Sequence, residues 1–368
     1  MTEMRINKLK KALNKTGLQG LALNPGPTMK YLTGLDFHLS ERPTVVIITK
    51  DKEPAIILPE FEYHGIQEKI PGYKTFPYID DPPTWKDAFV QAIDHLQLNG
   101  ASIGLESNHM RVLELDYLQN AAPKTKFIAA DEILNTLRMI KDEDELKMMR
   151  EAVKIAQKAF EATISSIKVG VSEREVASEL VMQLLKAGSD SQIPFQPIVA
   201  SGPNGANPHA TPGSRLLSPG DLVVIDWGAA YQGYTADITR TLAIGGISQE
   251  FQKIYDVVKR ANQAGRLAAK INTIIGDVDK TARAIIEEAG FGEYFTTRTG
   301  HGLGLEVHET PYVFGANPLI LDEGMTFTVE PGIYIPDRCG VRIEDNIVVR
   351  KNQGESLTDL SREIWTIY

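Results

Sequence analysis

The chain has 368 residues, 42% hydrophobic and 24% charged, with a formal net charge of −9 and one cysteine, Cys339. That length exceeds a single ordinary core and predicts two domains, and no apolar run reaches the length of a membrane span. The acidic balance argues against broad electrostatic binding to nucleic acid. One cysteine excludes an intrachain disulfide, and its scarcity fits a reducing, cytoplasmic setting in which Cys339 is a structural or incidental thiol.

In chain order, MTEMRINKLKKALNK reads as an amphipathic helix with Ile6, Leu9 and Leu13 on one face. Its scattered lysines leave no uninterrupted apolar segment for a secretory signal. PTVVIIT (Pro43 to Thr49), EPAIILPE (Glu53 to Glu60) and SIGLE (Ser102 to Glu106) read as buried strands, with amphipathic helices between and after them. Residues 1–135 form an α/β layer without evident chemistry of their own.

A boundary falls in TLRMIKDEDELKMMREAVKIAQKAF, Thr136 to Phe160. Asp142 and Glu145 have capping-box spacing, and Leu146, Met149, Val153 and Phe160 follow at helical intervals. A second helix starts at Ser172, with Glu175 at the box position, and stops near Gly188. A third runs from about Glu250 and a fourth from about Asp277 to Gly290. DLVVIDWG, YTADITRTLAI, MTFTVEPGIYI and GVRIEDNIVVR alternate as strands. Residues 142–368 therefore read as an α+β domain, with helices on a largely antiparallel sheet.

TGHGLGLEVHE (Thr299 to Glu309) is the most unusual stretch. Gly300, Gly302 and Gly304 do not give G-x-G-x-x-G, Pro311 prevents a following helix, and no lysine follows, so a phosphate loop is excluded. His308-Glu309 opens like H-E-x-x-H, but the fifth position is Tyr312. What remains is a flexible glycine-studded segment with two histidines, in which glycine permits close backbone approach or unusual dihedrals. After Asp142 the only histidines are His209, His301 and His308, all beside Gly or Pro in loop-like contexts.

Carboxylates also interrupt the strands. Asp226 follows Leu222-Val223-Val224-Ile225, and Asp237 lies beyond a turn at Gly233, on one face with Thr235, Thr239 and Thr241. Either Asp alone would read as a strand end at the surface. Glu330 shares a face with Thr326 and Thr328, and Glu344 with Arg342, opposite Val341 and Ile343. Four carboxylates in β-forming segments repel one another unless cations neutralise them. Four carboxylates and an imidazole, with no thiolate, suit Mn²⁺, Co²⁺, Fe²⁺ or Zn²⁺. Five side chains exceed the needs of one ion, so two ions about 3.5–4 Å apart and a shared water are expected.

In order and spacing, DWGAAYQGYTADITRT, TGHGLGLEVHE, TVEPGIY and GVRIEDNIVV resemble the pita-bread-fold metallopeptidases: methionine aminopeptidase, aminopeptidase P, prolidase and their metal-free relative creatinase. The resemblance spans roughly Asp142 to the end of the chain. It implies Asp226, Asp237, His301, Glu330 and Glu344 as metal ligands, and manganese first among the candidate ions. IVASGPNGANPHATP resembles the segment before the first ligand and implies His209 as an active-site histidine, with His308 as a second that is not a ligand. Glu330 is implied as the base or proton shuttle, and Arg342 as a support for Glu344. The N-terminal domain, with YLTGLDFHLSERPTVVII, resembles the creatinase-like domain of the aminopeptidase P and prolidase branch, where it contributes to a homodimer interface. The implied activity is hydrolysis of a small peptide with proline at its second position. Overall length and the compact N-terminal domain point to Xaa-Pro dipeptides, with aminopeptidase P as the alternative and a peptide-binding or lyase relative as rivals of another class.

Overall fold

The computed structural model describes residues 2–368; Met1, the first letter of the expected N-terminal helix, lies outside them. The chain divides into two compact units between Arg138 and Met139. No helix among the described residues is long and apolar enough to cross a membrane.

The first unit is a six-stranded mixed sheet: β1 (Gly20–Leu23), β2 (Val45–Thr49), β3 (Ala55–Pro59), β4 (Lys74–Tyr78), β5 (Ser102–Leu105) and β6 (Lys126–Ala129). The strands lie in the order β4-β3-β2-β1-β5-β6. Every residue of β2 and β3 is buried, which explains their continuous Val/Ile runs. The helices are α1 (Thr2–Leu13), α2 (Pro27–Thr33), α3 (Glu60–Ile66), α4 (Trp85–Leu96), α5 (Val112–Ala121) and α6 (Asp131–Arg138). Leu9 and Leu13 of α1 are fully buried. Phe89, Ala92, Ile93 and Leu96 of α4 recur at helical spacing and join Val45, Ile47 and Ile57 in one core.

The second unit begins with α7 (Glu143–Thr163) and α8 (Glu173–Ala187), both started by complete capping boxes at Asp142/Glu145 and Ser172/Glu175. Then come β7 (Ile198–Ser201), β8 (Leu222–Trp227), β9 (Ala230–Tyr231), β10 (Tyr234–Thr235), β11 (Ile238–Ile244), α9 (Gln249–Ala268) and α10 (Ile275–Glu288). The remaining strands are β12 (Gly300–Gly302), β13 (Glu309–Val313), β14 (Thr326–Val329), β15 (Gly332–Ile335), β16 (Cys339–Arg342), β17 (Asp345–Val349), β18 (Gly354–Ser356) and β19 (Trp365–Ile367). The expected sheet is in fact two, β19-β11-β8-β7 and β13-β12-β14-β17-β18, with the hairpins β9-β10 and β15-β16 beside them. All pairings are antiparallel except β11 with β19.

α10 starts at Ile275, two residues before the expected Asp277. No side chain caps it. Instead Leu319 O and Asn317 O accept from the amides of Ile275 and Gly276, a distant backbone cap that local sequence does not announce. One core packs Leu146, Met149 and Val153 of α7 with Phe160, whose ring stacks on Trp227 at 4.4 Å and 11°. Another joins Ile254 and Val258 of α9 to Val341 and Ile343. Burying those two residues turns Arg342 and Glu344 to the opposite side.

Phe160→Ala should cost about 3–5 kcal/mol, and Ser172→Ala only about 1 kcal/mol through its cap. Urea unfolding followed by tryptophan fluorescence checks the order; an equal or smaller loss for Phe160→Ala would count against the stack as a core element.

Candidate metal centre

Four acidic side chains reach one place from different elements. Asp226 sits in β8, in register with Thr239 of β11 and Ile198 of β7. The β9-β10 turn, with φ of 52° at Gln232 and 85° at Gly233, reverses the chain and returns it through Asp237. Positive φ at both central residues is what a tight hairpin of this hand requires. Asp237 lies between β10 and β11. Its backbone is gripped by the Asn346 carboxamide, which accepts from Asp237 N at 3.1 Å and donates to Asp237 O. Glu330 follows β14, and Glu344 lies between β16 and β17.

The segment 299–309 departs from expectation. His301 is in a short buried strand, β12, between β13 and β14, rather than in a flexible loop. None of Gly300, Gly302 and Gly304 has positive φ. Close approach is what needs glycine: a Cβ at Gly300 would lie 1.9 Å from Thr328 O, and one at Gly302 2.3 Å from Thr310 O. Three backbones pack here where side chains would hold them apart.

Asp237, His301 and Glu344 each present one donor atom within 4.8 Å of the others. His301 Nε2 lies 3.1 Å from Glu330 Oε1 and 3.6 Å from Asp237 Oδ2. Its Nδ1 is 3.2 Å from Gly302 O. A proton on Nδ1 satisfies that carbonyl and leaves the Nε2 lone pair aimed at two carboxylates, an arrangement that calls for a cation between them. Asp226 Oδ1, Asp237 Oδ1 and Glu344 Oε1 are buried without a hydrogen-bond partner among the described residues. Three such oxygens in one site are costly unless a cation answers them, so the donor set fits divalent metal. Burial, then the charges of Glu344 and Asp226, push the Asp237 carboxyl well above the usual range. Burial and then Glu330 do the same to Glu344. Burial acts to raise the Glu330 carboxyl, but a proton on His301 Nε2 when no cation lies between them, with the charge of Arg342 and the Thr328 hydroxyl, holds it below the usual range.

A second layer fixes the carboxylates. Arg342 donates from Nη2 to Asp226 Oδ2 at 2.7 Å, from Nη1 to Tyr334 Oη at 2.9 Å and Pro208 O at 3.3 Å, and from Nε to Thr239 Oγ1 at 3.0 Å. Thr239 Oγ1 in turn donates to Glu344 Oε2 at 2.6 Å. Below it, Arg240 donates from Nη1 to Glu344 O at 2.6 Å and Thr239 O at 2.8 Å, and from Nη2 to Asp345 Oδ1 at 2.9 Å and Leu360 O at 2.8 Å. Its Nε reaches Ser361 O at 2.9 Å. Asp345, fully buried, also accepts from Arg362 Nε at 2.7 Å and Asn262 Nδ2 at 3.0 Å. Burial alone would raise its carboxyl; Arg240 and Arg362 keep it below the usual range. Sequence reading passed over Thr239 as a partner, Arg240, Tyr334 and Asn346. Only the Thr alternation in β11 hinted at any of them.

The centre opens onto a cavity of about 630 Å³ lined by His209, Asp226, Asp237, His301, His308, Glu330, Arg342 and Glu344, with Phe195, Ile198, Val307 and Tyr334. His209 is exposed on the segment after β7. His308 keeps an exposed edge, yet its ring meets that of His301 at 4.2 Å. Desolvation there, and then the charge of His301, push it down to about 4, so its imidazole is neutral. Beside the cavity a buried ion pair, Lys141 Nζ to Glu309 Oε1 at 2.5 Å, anchors the residue after His308. Cys339 is buried in β16, which pushes its thiol up to about 11; it is distant in role from the site.

Residues 147–351 match the model of metallopeptidase family M24, and residues 5–140 that of the creatinase/prolidase N-terminal domain. An Xaa-Pro dipeptidase of Pyrococcus horikoshii is 36% identical over 362 residues, 98% of each chain. A crystal structure of recombinant prolidase from Thermococcus sibiricus superposes with a TM-score of 0.94 at 36% identity, covering 100% of this chain and 99% of that one. An X-Pro aminopeptidase from Thermotoga maritima superposes at 0.86 and 29% identity, covering 98% and 99%.

Asp237→Asn tests the charge crowding with a sign that simple destabilisation would not give. Without metal it should melt at or above the wild-type temperature, because it relieves repulsion. With added Mn²⁺ only the wild type should gain stability, by roughly 2.7 kcal/mol at a hundredfold excess over Kd. Thr239→Val should weaken Mn²⁺ binding about 10- to 100-fold by calorimetry; unchanged affinity would remove Thr239 from the support of Glu344.

Proposed function

The chain belongs to metallopeptidase family M24 and is a metal-dependent peptidase, and on that premise we propose that it hydrolyses Xaa-Pro dipeptides. The observation that carries the reading is the set of three unpartnered buried carboxylate oxygens around His301, facing a cavity that also holds His209 and His308. The names of the Pyrococcus and Thermococcus relatives, over nearly the whole chain, favour the dipeptidase. Two divalent ions, manganese first, with cobalt, zinc or iron as alternatives, would be held by Asp226, Asp237, His301, Glu330 and Glu344. Bound there, they acidify a water and polarise the scissile carbonyl.

The chain's own groups do the rest. Glu330 takes the proton from the attacking water and returns it to the proline nitrogen as the C–N bond breaks. Its Oε1 is oriented by a hydrogen bond from Thr328 Oγ1 at 3.0 Å, and the side chain keeps 17% exposure toward the cavity. His308, neutral, and His209 donate N–H groups to the carbonyl oxygen as it gains charge. Arg342 holds Asp226 and, through Thr239, Glu344, so the carboxylates do not splay as charge moves. Phe195, Ile198 and Val307 give the proline ring an apolar wall. A cytoplasmic location and a homodimer belong to the same reading.

Hydrolysis of Ala-Pro, Leu-Pro, Ala-Pro-Ala and Leu-Ala, after chelation and re-addition of Mn²⁺, Co²⁺ or Zn²⁺, tests it. Metal-dependent cleavage of the two Xaa-Pro dipeptides alone is expected. Release of alanine from Ala-Pro-Ala would make the protein an aminopeptidase P, and no cleavage under any metal would overturn the reading. Glu330→Gln should lower kcat roughly a hundred- to ten-thousandfold; near-full activity would exclude it as the base.

A further inference from the structure

The segment that carries His209, residues 201–213, has one short turn, Gly202–Ala206, as its regular structure, yet its base is tied to α8. Glu173, the first residue of α8, is fully buried. Its Oε1 accepts from Ser201 N and Ser201 Oγ, both at 2.7 Å, and from Asn204 Nδ2 at 3.0 Å. Its Oε2 accepts from Asn204 Nδ2 at 3.1 Å and from Gly213 N at 3.0 Å. Among the described residues, every hydrogen bond to this carboxylate comes from the one segment, and from both of its ends. The backbone repeats the tie: Glu173 N donates to Arg215 O at 3.1 Å and Arg174 N to Gly213 O at 3.0 Å. Further along, Gly205 lies so close to β16 that a Cβ on Gly340 would sit 1.7 Å from Gly205 O. Pro208 O accepts from Arg342 Nη1, and His209 N donates to Asn207 Oδ1 at 3.0 Å.

A buried carboxylate is costly unless hydrogen bonds replace its water. Helix α8 does not need this one, because the Ser172/Glu175 box already caps it, and Glu173 is not among the residues lining the cavity. What its bonds accomplish is to fix the two ends of a segment whose His209 does line the cavity. We propose that Glu173 is a positioning residue: by closing the base of segment 201–213 it sets the place of His209 in the cavity wall, a step that rests on the peptidase reading and the role of His209 given above. An N–H group stabilises a developing oxyanion only from a fixed distance. A slack segment therefore costs rate more than substrate binding.

The test measures kcat and KM for Leu-Pro, and Mn²⁺ affinity by calorimetry, in the wild type, Glu173→Gln, His209→Ala and the double variant. Glutamine keeps the shape but removes the charge and sets an NH₂ group against N–H and O–H donors. In Glu173→Gln kcat should fall roughly ten- to hundredfold, with KM and Mn²⁺ affinity little changed. In the His209→Ala background the same substitution should cost little more, because the group it positions is gone. Asn204 is exposed, so Asn204→Ala, which spares the bonds from Ser201 and Gly213, should fold and show the same pattern at smaller size even where Glu173→Gln does not. Wild-type kcat in folded Glu173→Gln, or failing that in Asn204→Ala, overturns the proposal. So does a loss that persists undiminished without His209, or one that comes with weakened Mn²⁺ binding. A wild type that leaves Leu-Pro intact removes the peptidase reading and this inference with it, and full activity in His209→Ala removes the role of that histidine and this inference. Unchanged kcat in Glu173→Gln, in an enzyme that needs His209, removes this inference alone.

Discussion

Mutual repulsion among Asp226, Asp237, Glu330 and Glu344, gathered at one buried point, is the constraint on which the arrangement of the second unit depends. Four carboxylates cannot all stay ionised out of water without nearby positive charge. Arg342 supplies some of it to Asp226, and His301 meets Glu330. One oxygen each of Asp226, Asp237 and Glu344 is buried with no donor among the described residues to satisfy it. A protein selected for stability alone would not keep them so. The donor set is legible as a site because it is a poor way to build a core.

Holding like charges together takes rigid backbone, and each strand contributes in the same way. Alternation sends Val341 and Ile343 into the core against α9 and leaves Arg342 and Glu344 on the opposite face. Gly300 and Gly302 let β12 lie against its neighbours without intervening side chains. Beneath the carboxylates, Arg240 and Asp345 form a buried pair whose remaining donors and acceptors all have partners, Glu344 O among them. Satisfied on every side, such a pair acts as a spacer: it fixes the carbonyl from which a site carboxylate hangs.

What was legible in the sequence was what depends on neighbours a few residues away. Both capping boxes, the run of strands, and the fact that Asp226, Asp237, Glu330 and Glu344 interrupt apolar alternation could be read from local pattern. The split into two sheets could not, because strand order is a matter of long-range pairing. Nor could the cap of α10, which comes from the carbonyls of Asn317 and Leu319. Glycine and histidine around His301 suggested a loop, and only the partners β13 and β14 make it a strand. Thr239 and Asn346 look like ordinary strand residues; register alone carries one to Glu344 and the other to the backbone of Asp237.

The brace under Glu344 also has a temporal side. Arg240 holds the Glu344 carbonyl while others of its donors reach Leu360 and Ser361, and β19 then closes the sheet by pairing with β11. All five candidate ligands lie ahead of this segment in the chain. A nascent polypeptide therefore possesses every donor atom before it possesses the scaffold that spaces them, and the centre matures only once residues 360–367 have left the ribosome.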